Sequence, residues 1–502
     1  MSETGVANTL EELKALDREA RMLEYVASAL SWDQETGMPE RAVEERSEQR
    51  ALLQSLAHAR DTAPRVGELL SELESHNGLG AVDAAFLREK RRQYDQRTRL
   101  PDTLVRDLAE TASRAQNAWM HARQDDDFNA FKPWLSRLIE LNRDAADHLG
   151  YEQIRYDALL DQYEPYATTT EVARVFDQLR QGLVPLVQKI AAAEQVDTSF
   201  LRRSYDPERQ RAYSDQLMVA LGYELDRGRL DLSAHPFTTK LGTHDVRITT
   251  RFSEHAPESG IFSTIHETGH ALYELGTGEE LSGTLLSDGT SLGIHESQSR
   301  MLENMIGRSR AFWTYQLPVL RRYFPEQLKD VDLERFYRGI NHVEPSLIRV
   351  EADEVTYSLH VILRFEIEQA LISGDLSVAD LPGAWREKMK DFLGIEPDSD
   401  ARGVLQDVHW SMGAFGYFPT YALGNLYAAQ FLRVMERDFP DAWDSIAQGD
   451  CSGVVAWSRD RVHQYGKMKS ASELVQDIAG GPLDPSVFLE YLTEKYEDIY
   501  GG

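Results

Sequence analysis

Between residues 8 and 30, Leu10, Leu13 and Leu16 are followed by Met22, Leu23 and Val26, the three-and-four spacing of an amphipathic helix. The next segment, MPERAVEERSEQRALLQSLAHAR, carries Pro39 where a helix can start and spreads its charges along one face. Windows 62–77, 81–98, 101–124, 127–149 and 170–194 repeat the style, separated in places by turn signals such as HNGLG and DQYEPYATTT. Around residue 230 the period changes. Val246, Ile248 and Thr250 alternate, which predicts a strand, and SGTLLSDG over 282–289 predicts a second, weaker one. Helical spacing then returns over 261–275, 294–308, 347–373 and 420–438. The expected fold is mainly α, with one small β-sheet near the middle. No fixed-period repeat or low-complexity linker divides the chain. Residues 1–502 are therefore read as one structural unit, with an N-terminal helical half over 1–200 and a second half over 201–502.

Composition narrows the class. Apolar residues make up 42% and charged residues 27%, the balance of a soluble protein with a sizeable core. No stretch approaches the roughly 18 uncharged apolar residues of a membrane span. The start, MSETGVANTLEELKALDREA, lacks the basic lead and apolar run of a secretory signal, so a cytoplasmic location is expected. The formal net charge of -29 argues against nucleic acid and anionic lipid as partners, since both are polyanions. A single cysteine, Cys451, excludes an internal disulfide framework and a thiolate metal cluster.

The strongest chemical signal is His266-Glu267-Thr268-Gly269-His270. Two histidines four apart share one helix face, so both imidazoles can reach one zinc ion. Glu267, beside the first histidine, can act on a zinc-bound water without displacing it. The competing reading is an ordinary helix that happens to carry two histidines. A catalytic zinc also needs a third protein ligand and an open position. Glu296, in Gly293-Ile294-His295-Glu296-Ser297, lies far enough beyond His270 for a helix to end and a second to return. Its carboxylate completes a two-histidine, one-glutamate set; otherwise it is an acid favoured at a helix N-terminus. His295, next to Glu296 on the helix, points elsewhere, into the substrate cleft or against a ligand from behind. With such a site, zinc acidifies its water and polarises a bound carbonyl, and Glu267 is the general base that moves the proton to a leaving amine.

The sequence resembles the carboxypeptidase Taq family of zinc carboxypeptidases. The segments that carry the likeness are His235-Pro236-Phe237, Asp245-Val246-Arg247-Ile248-Thr249, the HETGH helix, His295-Glu296-Ser297, Ile348-Arg349-Val350-Glu351-Ala352-Asp353 and Gly403-Val404-Leu405-Gln406-Asp407-Val408-His409-Trp410. Leu30-Ser31-Trp32-Asp33-Gln34 with Met38-Pro39 is similar to the family's opening helices. The resemblance implies a helical metallopeptidase with a long substrate cleft, the sheet beside the HExxH helix and one metal ion at the cleft floor. It implies release of C-terminal residues one at a time from peptides with a free C-terminus, with broad side-chain tolerance. It further implies a homodimer and a zinc ion that cobalt can replace.

An exopeptidase of this direction must hold a free α-carboxylate, which calls for a fixed cation. The IRxxAD motif of the family gives Arg349 that part, provided its helix begins by residue 347; pairing with Glu351 or Asp353 is the alternative. Arg247 on the predicted strand is the second candidate, as part of an edge that lines the substrate backbone or as a structural residue. His409, Tyr417 and Tyr421 belong to a Gly-flanked aromatic segment. They are candidate donors to the developing oxyanion, with His409 also a candidate for the carboxylate; the alternative is a packed aromatic loop. His235 lines the cleft by resemblance alone, and Asp353 is a candidate support for a ligand histidine. Two other functions compete: an endo-acting or dipeptide-releasing helical zinc peptidase, and a non-catalytic helical peptide-binding scaffold.

Overall fold

A computed structural model describes residues 3–76 and 78–501. Asn77, in the predicted turn HNGLG and at the end of the predicted 62–77 helix, lies outside the described residues, as do Met1, Ser2 and Gly502. The N-terminal part is a succession of helices: Glu3–Thr36, Val43–Asp61, Pro64–Glu74, Ala81–Arg99, Asp102–Asp125, Phe128–Leu149 and Thr169–Ala191. The first two pack along one another. Caps fix several starts; Asp127 accepts from Asn129 N and Thr168 from Glu171 N.

The apolar stripe of the first helix is buried at Leu10 and Leu13. Contrary to the helical stripe read from sequence, Met22 and Val26 are exposed. One turn earlier the buried positions pass to Asp17, Ala20 and Arg21. Asp17 meets Lys90, and Arg21 meets Asp288. Two ion pairs thus take over a face that the sequence would have given to hydrocarbon.

Three strands form the sheet in the order β1 (Leu230–Leu232), β3 (Asp245–Thr250), β2 (Thr238–Gly242). β1 runs parallel to β3 and β2 antiparallel to it, with both Leu230 and Thr238 opposite Ile248. The alternation of Val246 and Ile248 turns both toward Ala271 and Leu275 of the Pro257–Leu275 helix. Apolar period two therefore seats the sheet on the helix that bears the HETGH run.

Three predicted elements differ. The strand expected over 282–289 is instead irregular chain with one 3₁₀ turn, Leu285–Ser287, and follows another at Glu279–Leu281. Gly283 turns the chain at φ +74°, and Asp17 accepts the Leu285 N–H that a neighbouring strand would have taken. The 294–308 helix is α-helical only over Leu292–Arg300 and widens to a π-helix over Met301–Ile306. The 347–373 helix begins only at Tyr357, with Arg349–Glu351 in a separate 3₁₀ turn. Asp353 does not support a histidine: its Oδ1 accepts from Val355 N and Thr356 N, so it ties down the start of the Tyr357–Ser373 helix. No helix among the described residues is long and apolar enough to cross a membrane.

Candidate metal and active site

His266 and His270 lie one turn apart on the Pro257–Leu275 helix, and their Nε2 atoms stand 3.2 Å apart. Glu296 arrives from the Leu292–Arg300 helix, its Oε2 3.7 Å from His266 Nε2 and 3.4 Å from His270 Nε2. A tetrahedral ion with bonds of about 2.0–2.1 Å has ligand–ligand edges of about 3.3 Å. The triangle matches that edge, and the donor set of two imidazoles and a carboxylate suits zinc.

Two glycines permit this approach. A Cβ on Gly269 would lie 2.6 Å from Ser299 Cα, so glycine inside the HETGH run lets the two helices close. A Cβ on Gly424 would lie 2.6 Å from Glu296 Cγ, so the Pro419–Asp438 helix leaves room for the Glu296 side chain.

The two Nε2 atoms are oriented by what the opposite ring nitrogens touch. His266 Nδ1 lies 2.9 Å from Glu303 Oε2. His270 Nδ1 lies 2.6 Å from His295 Nδ1, and His295 Nε2 lies 2.8 Å from Glu274 Oε1. Lys240 Nζ on β2 donates to Glu274 Oε2 at 2.8 Å. His295 therefore spends both nitrogens on neighbours. It stands against His270. Glu303, Glu274 and Lys240 were not found by sequence reasoning. Glu303 stands seven residues after Glu296, two turns on, and shares its side of the helix, so helical spacing could have marked it; nothing in the sequence marks the other two.

Burial pushes His270 down to about 3. Burial also opposes charge on His266, but the Glu296 charge and the Glu303 hydrogen bond outweigh it and raise its value. Glu296 lies well below the ordinary carboxylate range; burial raises it, while Arg300 and His266 lower it by more. Glu267 is buried, which raises its value. Its Oε2 accepts from Thr238 Oγ1 at 2.6 Å, a contact that sequence reasoning missed.

A second group stands beside Glu296. His409, Tyr417 and Tyr421 make a continuous aromatic wall, with ring centroids 5.2 Å apart for His409 and Tyr417 and 5.3 Å for Tyr417 and Tyr421. His409 Nε2 lies 3.4 Å from Tyr421 Oη. Burial pushes His409 down to about 4, so its ring is neutral at pH 7. Tyr163 packs edge-on against Tyr417 at 5.1 Å.

Arg349 is not the open fork expected at a helix start. It sits in the short 3₁₀ turn, 4% exposed. Nε and Nη2 donate to Asp407 Oδ1 at 3.0 and 2.8 Å, and Nη1 donates to Tyr357 Oη at 3.0 Å. Its guanidinium lies 5.0 Å from the Tyr421 ring centroid. Arg364 Nε donates to the other oxygen of Asp407 at 2.7 Å.

Of the two readings of Arg247, the strand edge does not hold. β3 is the central strand, so its backbone is already paired on both sides and offers no edge to a peptide. Its side chain points to the sheet face opposite Val246 and Ile248, pairs with Asp245 at 2.8 Å and lies 4.7 Å from the Trp32 ring centroid. His235 is exposed in the connection between β1 and β2.

Comparison with known proteins follows this geometry. The family described as carboxypeptidase Taq (M32) metallopeptidase matches residues 12–496. The chain is 43% identical over 505 residues to thermostable carboxypeptidase 1 of Thermus thermophilus, covering 98% of this chain and 99% of the relative. It is 41% identical over 473 residues to carboxypeptidase 1 of Bacillus subtilis, covering 94% of each. The crystal structure of an M32 carboxypeptidase from Deinococcus radiodurans is similar with a TM-score of 0.97 at 39% identity, over 99% of this chain and 100% of that one.

Proposed function

The chain belongs to the carboxypeptidase Taq (M32) metallopeptidase family, and from that premise we propose that it is a zinc-dependent carboxypeptidase that shortens peptides one residue at a time from a free C-terminus, with broad side-chain tolerance. The observation that carries this reading is the convergence of His266, His270 and Glu296 on one point beside the buried carboxylate of Glu267. Bound there, one zinc ion, or cobalt in its stead, would acidify a water and polarise the scissile carbonyl.

The chain's own residues do the rest. Glu267 accepts a proton from the attacking water and passes it to the leaving amine. Its burial favours the protonated form and so suits it to that exchange. His409 and Tyr421 donate to the oxygen that gains charge at the tetrahedral centre, with Tyr417 as their packing partner. Arg349 and Arg364 share one carboxylate, Asp407, which leaves one positive charge in excess behind Tyr421. That charge attracts the α-carboxylate of the substrate, so Arg349 acts from behind the aromatic wall. His295 supports His270, Arg247 is a structural residue paired with Asp245 and Trp32, and His235 lines the cleft by the family resemblance. By the family resemblance the working unit is a cytoplasmic homodimer, with residues 1–502 folded as one structural unit.

The test uses one peptide and its C-terminally amidated twin, followed by mass over time with the metal content measured in parallel. The expected result is a ladder that loses one residue per step from the free acid, with the amide intact. Equal cleavage of both would point to an endopeptidase. Hydrolysis that survives exhaustive chelation would remove the metal from the account.

A further inference from the structure

Glu296 has two carboxylate oxygens with different surroundings. Oε2 faces the Nε2 atoms of His266 and His270 at 3.7 and 3.4 Å. Oε1 faces away and accepts from Arg300 Nε at 2.7 Å. Arg300 lies one turn beyond Glu296, at the last α-helical position before the π-helix begins, so the two side chains share a face.

Three contacts fix the guanidinium. Beside the Glu296 bond, Nη1 donates to Glu303 Oε2 at 3.3 Å, the same oxygen that holds His266 Nδ1. Its central carbon lies 4.5 Å from the centroid of the Tyr357 ring. The hydroxyl of Tyr357 is itself occupied by Arg349. One side chain thus spans the carboxylate that faces the metal position and the carboxylate that orients His266.

A carboxylate can bind a cation through one oxygen or two. Two-oxygen binding would add a fifth ligand and crowd the position that a catalytic zinc keeps open. A charge-assisted hydrogen bond on Oε1 opposes the rotation that would bring this oxygen onto the metal. We propose that Arg300 is a positioning residue that holds Glu296 to single-oxygen ligation and so keeps one coordination position free for water and substrate. This rests on the reading that His266, His270 and Glu296 hold a metal ion.

The test is the visible spectrum of the cobalt(II)-loaded protein, because four-coordinate cobalt(II) absorbs several-fold more strongly than five-coordinate cobalt(II). Two variants separate position from charge. Arg300→Gln keeps an N–H donor where Nε stood but removes the charge. Arg300→Met removes both. The expected result is a strong band in the wild type and in Arg300→Gln, and a weakened band in Arg300→Met. Cobalt affinity of Arg300→Met should also fall by about 10- to 100-fold, the usual effect of losing a group that orients a ligand. Identical bands in Arg300→Met and wild type would overturn the proposal, as would Gln and Met variants that behave alike. If Arg300→Met does not fold, X-ray absorption at the zinc edge of the wild type decides. Four light neighbours near ~2.0 Å support single-oxygen ligation, and a two-oxygen carboxylate overturns it. A wild type that binds no cobalt, or binds it unchanged after His266→Ala, would overturn the metal site itself.

Discussion

The hydroxyl of Thr238, on the edge strand β2, donates to Glu267 Oε2 at 2.6 Å. A strand residue thus orients the carboxylate assigned as general base, while the helix that carries this carboxylate supplies both histidines. Thr238→Val keeps the shape and removes the donor. Loss of a hydrogen bond to a charged group is worth about 1.5–3 kcal/mol, so kcat should fall by about 10- to 100-fold. KM and metal content should stay as they are, and Thr238→Ser should restore most of the rate. A Val variant with wild-type kcat would remove Thr238 from the account.

Glu267→Gln is the sharper change. It preserves the side-chain volume and leaves all three metal-facing atoms in place, so the metal content should match wild type. Without a base, turnover should fall by about 100- to 10,000-fold. Single-turnover rates and metal analysis on the same preparation check both halves. A variant that loses its metal would mean that Glu267 matters for the site's assembly instead.

The partners of the two histidines differ, and that predicts a difference in metal affinity. His266 Nδ1 faces the carboxylate of Glu303, whereas His270 Nδ1 faces the ring of His295. With Nε2 of His270 turned to the metal position, its Nδ1–H must donate to His295 Nδ1, and His295 Nε2–H then donates to Glu274. Glu303→Gln and His295→Phe should each weaken metal binding by about 10- to 100-fold in chelator competition. Glu274→Gln should act in the same direction through His295, by less. If His295→Phe binds metal like wild type, the tautomer chain carries no function.

Much of this was readable in advance, and the losses have physical causes. The four-residue spacing of His266 and His270 fixes their common face without any tertiary information, and the alternation of Val246 and Ile248 likewise fixes the buried face of β3. Glu296 apart, what was decided by a partner distant in sequence mostly failed. Met22 and Val26 were read as core because the burial of Asp17 and Arg21 depends on Lys90 and Asp288. Arg349 was read as an open cation because its partner, Asp407, stands 58 residues away. Glu303, seven residues after Glu296, does share its helix side, but an acid on a helix face carries no sign of the histidine it meets until His266 is placed against it.

Glu368 provides a prediction about pH. This acid is buried without a salt bridge; its Oε1 accepts from Trp410 Nε1 at 2.8 Å and its Oε2 from Gly416 N at 2.9 Å. It thereby fastens both ends of the 410–416 segment that follows His409. Burial raises its value from 4.5 to about 7, more than its hydrogen bonds and Arg364 lower it. Between those values the folded protein binds more protons than the unfolded chain. Its stability therefore falls as pH rises from about 4.5 through about 7, and this contribution is fully present only below the unfolded value. Glu368→Gln cannot titrate, and its amide N–H₂ meets a donor on one side, so the variant is less stable throughout. The diagnostic is the difference between wild type and variant in urea unfolding. That difference should be larger at pH 5 than at pH 7.5, with Glu164 and the other titrating groups common to both proteins. A difference that is constant across this range would show that Glu368 stays ionised in the folded state, and that its three donors, Trp410, Gly416 and the Tyr156 hydroxyl, outweigh burial.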